Sequence, residues 1–152
     1  MTRFKTIIFL DEENTALSKV AEAILKELFD RANVFGIRVT SKGNVVLFPE
    51  PVNPKISELA KMDGLNLENE VATQMMDSDF DIETLVLALD TDSKKKAYSK
   101  YLNASNVFTL REYIGEQGDI KFIMGKELEE YIDTYNFLKR TVINLANKLM
   151  EE

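Results

Sequence analysis

The stretch that most constrains the fold runs from Phe4 to Phe29, where a short apolar run leads through a polar loop into a helical pattern. Residues 6–10 are β-branched or apolar without interruption, which is typical of a strand buried on both faces. From Ala16 onward, apolar residues recur every three or four positions, which predicts a helix with a broad apolar face. This order predicts the opening of a βαβ unit.

The loop between this strand and helix is the predicted functional site. In a parallel sheet it lies at the carboxyl end of the strand, where the free N–H groups and dipole of the helix favour an anion. However, Asp11, Glu12 and Glu13 place three carboxylates there. The first Lys or Arg after the strand is Lys19, which lies in the predicted helix. Coulomb repulsion therefore disfavours an anionic ligand at this position.

The remaining pattern alternates strands with helices over the whole chain. It predicts an α/β fold of three layers, a doubly wound four-stranded parallel sheet with helices on both faces, in one domain spanning residues 1–152. Gly43 is predicted to adopt a positive φ in a loop. Further strands are predicted at residues 34–39, 84–89 and 107–109. Further helices are predicted at residues 54–62, after a cap formed by Asp92 and Ser93, at residues 110–114, and from Lys126 onward. The last of these helices is predicted to place Tyr131 and Tyr135 in the core.

Composition excludes several classes of chemistry. The chain has no Cys and no His, so it has no thiol nucleophile, no imidazole base and no disulfide. Its net charge of −7 argues against a nucleic-acid or anionic-membrane surface. No apolar run is long enough to span a membrane, and we expect a cytoplasmic protein whose partner is a protein or a small ligand.

The first loop resembles that of the low-molecular-weight protein tyrosine phosphatases and of the arsenate reductases that share their fold. Those proteins carry C-x-G-N-x-C-R-S-P-x-A-E-A, and residues 11–23 read D-E-E-N-T-A-L-S-K-V-A-E-A. Asn14, Ser18 and residues 21–23 match as they stand. Weaker matches follow, such as Ser41-Lys42-Gly43 for the family's S-A-G and residues 64–67 for its G-I-D-L. The resemblance implies a phosphotyrosine protein phosphatase I-like fold.

The positions that differ are those that carry the family's chemistry. The nucleophilic Cys corresponds to Asp11, the phosphate-binding Arg to Leu17, and the general acid, an Asp before Pro, to Phe122 before Ile123. The resemblance therefore implies a catalytically degenerate member, without a cofactor, that acts in binding or regulation. The candidate binding residues are Asp11, Glu12, Glu13, Asn14, Thr15, Ala16, Leu17, Ser18 and Phe122.

Three interpretations of the loop remain open. In the first, the Asp11 carboxylate accepts the loop N–H groups and occupies the anion site from within. In the second, Asp11 is itself a nucleophile, and Asp11 and Glu13 hold Mg²⁺, because D-E-E-N-T resembles the D-x-D-x-T loop of haloacid-dehalogenase-type phosphotransferases. In the third, Asp11, Glu12 and Glu13 dock a basic partner, with exposed Phe122 and Ile123 as apolar anchors, although Phe122 could instead fold over the vacated pocket.

Overall fold

A four-stranded parallel sheet forms the centre of the molecule. The structure is a computed structural model, and it describes residues 1–122, 125 and 127–152. The strands are β1 (Thr6–Asp11), β2 (Arg38–Gly43), β3 (Thr84–Ala88) and β4 (Val107–Thr109); the helices are α1 (Leu17–Arg31), α2 (Pro54–Met62), α3 (Thr91–Lys100), α4 (Leu110–Tyr113) and α5 (Leu128–Glu151). The strand order is β2-β1-β3-β4, and every neighbouring pair is parallel.

The two central strands, β1 and β3, bury side chains on both faces of the sheet, which explains their uninterrupted apolar sequences. One face packs against α1, α2 and α5, and the other packs against α3. The first face presents Ile7, Phe9, Leu85 and Leu87, and the second presents Ile8, Leu10, Val86 and Ala88. The predicted three-layer α/β architecture is confirmed.

Strand β2 lies four residues later than the sequence pattern predicts. The predicted strand at residues 34–39 is wrong because Gly36 adopts a φ of +88°, and pairing with β1 begins only at Arg38. As an edge strand, β2 buries alternate residues and so carries no apolar run. The predicted positive φ at Gly43 is also wrong, because this residue pairs with Asp11 at the end of the strand.

Side-chain caps fix the starts of two helices. Asn53 accepts the N–H groups of Lys55 and Ile56, so α2 begins at Pro54 as predicted. Helix α3 is capped by Asp90, whose carboxylate accepts the N–H of Ser93 at 2.7 Å, and not by the predicted Asp92-Ser93 pair. Both caps lie on the carboxyl side of the sheet, which helps to define the loops there.

Helix α5 covers the sheet through one apolar face. Four of its 24 residues, Leu138, Val142, Leu145 and Leu149, are completely buried. Ile143, on the outer face, is 37% exposed. The helix begins at Leu128, and Lys126, its predicted start, lies outside the described residues. Within the described ranges, no helix has both the length and the apolar content that crossing a membrane requires.

Two substitutions on α5 test this packing. Leu145→Ala should lower the free energy of unfolding by about 2–5 kcal/mol, because it leaves a cavity at a side chain with no exposure. Ile143→Ala, two residues earlier on the outer face, should cost much less, because that side chain stays partly in water. Urea unfolding measures both values, and equal losses would contradict the described orientation of α5.

Candidate functional site

A cleft of about 720 Å³ opens at the carboxyl ends of β1 and β3, beside the loop that enters α1. This is the edge at which parallel α/β sheets bind their ligands. All predicted site residues except Ser18, which lies beneath the loop, line it. The full lining is Asp11, Glu12, Glu13, Asn14, Thr15, Ala16, Leu17, Phe48, Glu50, Pro51, Val52, Asn53, Pro54, Leu89, Asp90, Ile120 and Phe122.

The Asp11 carboxylate is turned into the loop and accepts two of its backbone N–H groups. Oδ1 accepts the N–H of Asn14 at 2.9 Å, and Oδ2 accepts the N–H of Ser18 at 3.3 Å. Ala16, at the N-cap position of α1, has no side chain that could accept these groups. Asp11 thus caps α1 from the end of β1, as the first interpretation predicts.

Burial dominates the electrostatics of Asp11. Enclosure by protein raises the pKa of its carboxyl to about 6, against an ordinary value of 3.8. Hydrogen bonds with Ser18 and Asn14 oppose this rise in pKa, and the nearby negative charge of Asp90 adds to it. The group is therefore a capping carboxylate that protonates more readily than an exposed aspartate.

The buried side chain of Asn14 fixes the shape of the loop. Its backbone adopts a φ of +58°, and its side chain is fully buried. The side-chain Nδ2 donates to Ser18 Oγ at 2.8 Å and to Ser41 Oγ at 3.0 Å, while Oδ1 accepts the N–H of Thr73 at 2.9 Å. The loop conformation is thereby tied to α1, to β2 and to the segment after α2.

The same network continues into α1 through a buried carboxylate. Ser41 Oγ donates to Glu22 Oε1 at 2.7 Å, and Lys26 forms an ion pair with Glu22 Oε2 at 2.6 Å. Both Ser41 and Glu22 are buried, so these partners offset the cost of removing the carboxylate from water. The network and its charge are therefore internally satisfied.

Gly43 allows β2 to approach the loop closely. A Cβ added here would lie 2.7 Å from Val46 Cγ2 and 3.0 Å from the carbonyl oxygen of Glu12. The backbone itself confirms the contact, because the N–H of Val45 donates to the carbonyl of Glu12 at 2.9 Å. Close packing, and not a positive φ, is the reason for glycine at this position.

The exposed part of the loop is acidic. Glu12 forms an ion pair with Lys96 of α3 at 2.6 Å. Glu13 and Glu50 are exposed, and neither forms an ion pair with any residue that the structure describes. No Lys or Arg is among the described residues that line the cleft. The cleft is thus suited to positive charge and opposes negative charge.

Leu17 and Phe122 form part of the apolar wall. Leu17 is 1% exposed and belongs to the main core, so it presents no charge to the cleft. Phe122 is half-buried against Tyr131, with ring centroids 5.3 Å apart. The expectation of an exposed Phe122 is therefore wrong, and the alternative, in which Phe122 folds over the pocket, agrees with this packing. Ile123 lies outside the described residues.

The two tyrosines of α5 have structural partners. Tyr131 Oη accepts the N–H of Gly125 at 3.0 Å, and Tyr135 Oη donates to Asp63 Oδ2 at 3.0 Å. Both residues are buried, as the sequence predicts. Burial and the Asp63 carboxylate raise the pKa of Tyr135, so it stays neutral.

Asp11 and Glu13 are the residues predicted to hold Mg²⁺ in the second interpretation. Asp11 and Glu13 both line the cleft, but each oxygen of Asp11 accepts an N–H group of the protein, so a cation there would share these oxygens with the loop. Among the described residues, no group of three or more Asp and Glu side chains is arranged to hold a metal ion.

Sequence reasoning missed nine residues of the cleft lining, and three of them, Phe48, Glu50 and Asp90, determine the charge of the cleft or the character of its mouth. Asp90 lies two residues after the end of β3, and its position could have been inferred because parallel strands end at the same edge. Phe48 and Glu50 lie in an irregular segment between β2 and α2 that has no periodic pattern. Tertiary contacts alone bring this segment to the cleft.

Comparison with known proteins places these features in a family. The family model described as low molecular weight phosphotyrosine protein phosphatase matches residues 6–152. The low molecular weight protein-tyrosine-phosphatase PtpB of Staphylococcus epidermidis is 31% identical over 130 residues, which cover 85% of this chain and 88% of that protein.

Solved structures agree with this match. The low molecular weight protein tyrosine phosphatase from T. tengcongensis superposes with a TM-score of 0.87 at 26% identity, over 95% of this chain and 99% of that one. The YwlE arginine phosphatase from Geobacillus stearothermophilus gives a TM-score of 0.85 at 25% identity, over 97% and 94% of the two chains. The chain is a member of the low-molecular-weight phosphotyrosine protein phosphatase family.

Proposed function

We propose that this chain is a catalytically inactive member of its family and acts by binding. The observation that carries the proposal is the position of Asp11, whose carboxylate accepts the N–H groups of Asn14 and Ser18. In the family resemblance Asp11 stands at the nucleophile, and the loop N–H groups are those that hold phosphate. An internal carboxylate at these donors competes directly with any phosphate.

The electrostatics of the cleft support the same conclusion. Family chemistry uses an Arg that binds two phosphate oxygens, and the matching residue here is Leu17, a core side chain. Glu12, Glu13 and Asp90 add negative charge close to the position of a phosphate. A dianionic ester would therefore meet repulsion where the family supplies attraction.

The reacting groups are missing as well. The whole chain has no Cys, so the family's thiolate attack is impossible, and Phe122 cannot donate a proton to a leaving group. Loss of one charge-stabilising donor commonly costs ~2.7–4 kcal/mol of transition-state stabilisation. Loss of nucleophile, Arg and acid together leaves no route for turnover by the family mechanism.

Hydrolysis of a chromogenic aryl phosphate tests the proposal. We expect no turnover above that of an identically purified Asp11→Asn variant, with or without Mg²⁺, because neither nucleophile nor phosphate site is available. Turnover that requires Mg²⁺ and disappears in Asp11→Asn would contradict the proposal and favour the alternative in which Asp11 is the nucleophile. Turnover without metal would also contradict it.

A gain-of-function variant tests whether the scaffold still suits phosphate. Asp11→Cys combined with Leu17→Arg and Phe122→Asp should introduce measurable hydrolysis of the same aryl phosphate, because the Asn14 network that shapes the loop is intact. The matched control keeps Asp11→Cys and Phe122→Asp but retains Leu17, and it should remain inactive. Circular dichroism checks that both variants fold. A folded triple variant without activity would contradict the retained scaffold.

The burial of the Asp11 carboxyl predicts a particular pH dependence of stability. With its pKa raised to about 6, the folded protein retains this proton to higher pH than the unfolded chain does. The resulting stabilisation is complete at acidic pH and is lost as the pH rises through 6. Between about pH 4 and pH 7, wild type should lose about 2 kcal/mol of unfolding free energy relative to Asp11→Asn.

Urea unfolding of both proteins across this pH range measures the difference, and carboxyl NMR titration locates the midpoint directly. Parallel pH profiles for the two proteins would contradict the enclosure of the Asp11 carboxyl.

A further inference from the structure

The mouth of the cleft combines exposed apolar side chains with carboxylates that lack ion-pair partners among the described residues. We call Glu13, Leu47, Phe48 and Glu50 the rim. Leu47 is 87% exposed and Phe48 is 59% exposed, which is unusual for adjacent large apolar residues. Glu13, Phe48 and Glu50 border both the main cleft and an adjoining pocket of about 120 Å³. The rim thus borders two neighbouring concave sites.

The segment that carries Phe48 and Glu50 is held in place by backbone contacts. Pro51 bridges to Val71, and the N–H of Ala72 donates to the carbonyl of Glu50 at 2.8 Å. On its other side, the N–H of Val46 donates to Gln74 Oε1 at 2.8 Å. The rim is therefore ordered before any ligand arrives, which reduces the entropy cost of binding.

Resting on the proposed binding function, we propose that the rim and cleft dock a segment of a partner protein through an arginine side chain. A guanidinium group satisfies the Glu13 and Glu50 carboxylates, which have no cationic partner among the described residues. Its flat face stacks on an exposed aromatic ring such as Phe48, which an ammonium group does less well. An anion is repelled by the same carboxylates, and a purely apolar residue would leave them without a partner.

The dimensions of the site favour a protein segment over a small cation. The main cleft of about 720 Å³ and its neighbour share a wall, so together they accommodate a side chain and its flanking residues. Leu47 lines the smaller pocket and is largely exposed, so it offers an apolar surface to a residue next to the arginine. Asp11 takes no part, because its carboxylate is used within the loop.

The test uses a blocked pentapeptide, acetyl-Gly-Leu-Arg-Leu-Gly-amide, titrated into the isotopically labelled full-length protein at low salt. We expect saturable NMR shifts in the amides of residues 12–17, 46–48 and 50, since Pro49 and Pro51 have no N–H. The same peptide with citrulline in place of arginine is isosteric but neutral, so it should bind far more weakly. Raising the salt concentration should weaken the arginine peptide, because the contacts lie near the surface.

A matched pair of variants locates the charge. Glu13→Gln with Glu50→Gln should weaken binding of the arginine peptide roughly fivefold to tenfold at low salt, as expected for two exposed carboxylates. Glu83→Gln with Glu151→Gln makes the same change in net charge at exposed sites outside the cleft, and should leave binding unchanged. All four positions are exposed, so loss of folding is not expected.

Several results would overturn the inference. Equal binding of the citrulline peptide, or equal loss in both double variants, would remove the role of the rim charges. Equal binding of free arginine amide would assign the cleft to a small cation. Absence of peptide binding together with absence of phosphatase activity would refute the docking inference and leave the proposed loss of catalysis standing, whereas hydrolysis of a phosphotyrosine peptide would refute the proposed function.

Discussion

The Asp11 carboxylate and the two N–H groups that it accepts determine the rest of the site. A helix whose N-cap is alanine leaves its first N–H groups without a local acceptor, and the end of β1 supplies one. The same contact removes these donors from any external ligand. One carboxylate therefore completes the start of α1 and also lies against the N–H groups that an external anion would need.

The hydrogen bonds of Asp11 depend on the loop conformation that the buried side chain of Asn14 maintains. Buried Asn14 needs partners for its amide, and Ser18, Ser41 and Thr73 supply them from three different parts of the chain. Glu22 extends the network to α1, with Lys26 as its counter-charge. Removing any member would leave a buried polar group without its full set of hydrogen bonds, so the network constrains the sequence through its own hydrogen-bonding requirements.

The sequence predicts the architecture and the position of the site for clear reasons. The uninterrupted apolar runs of β1 and β3 identify central strands, and the parallel order places their carboxyl ends together. Strand β2 is misplaced because an edge strand lacks that run. Phe48 and Glu50 could not be predicted, since only long-range contacts such as Pro51 with Val71 bring their irregular segment to the cleft.

Membership of the family and the chemistry of the cleft therefore rest on different residues. The hydrogen bonds of Asn14 with Ser18 and Ser41 hold the loop without contacting a ligand, so their presence is evidence of shared architecture and not of shared activity. The ligand is selected by the groups that face solvent. At this cleft those groups are carboxylates and apolar side chains, and the field they create favours a cation over an anion.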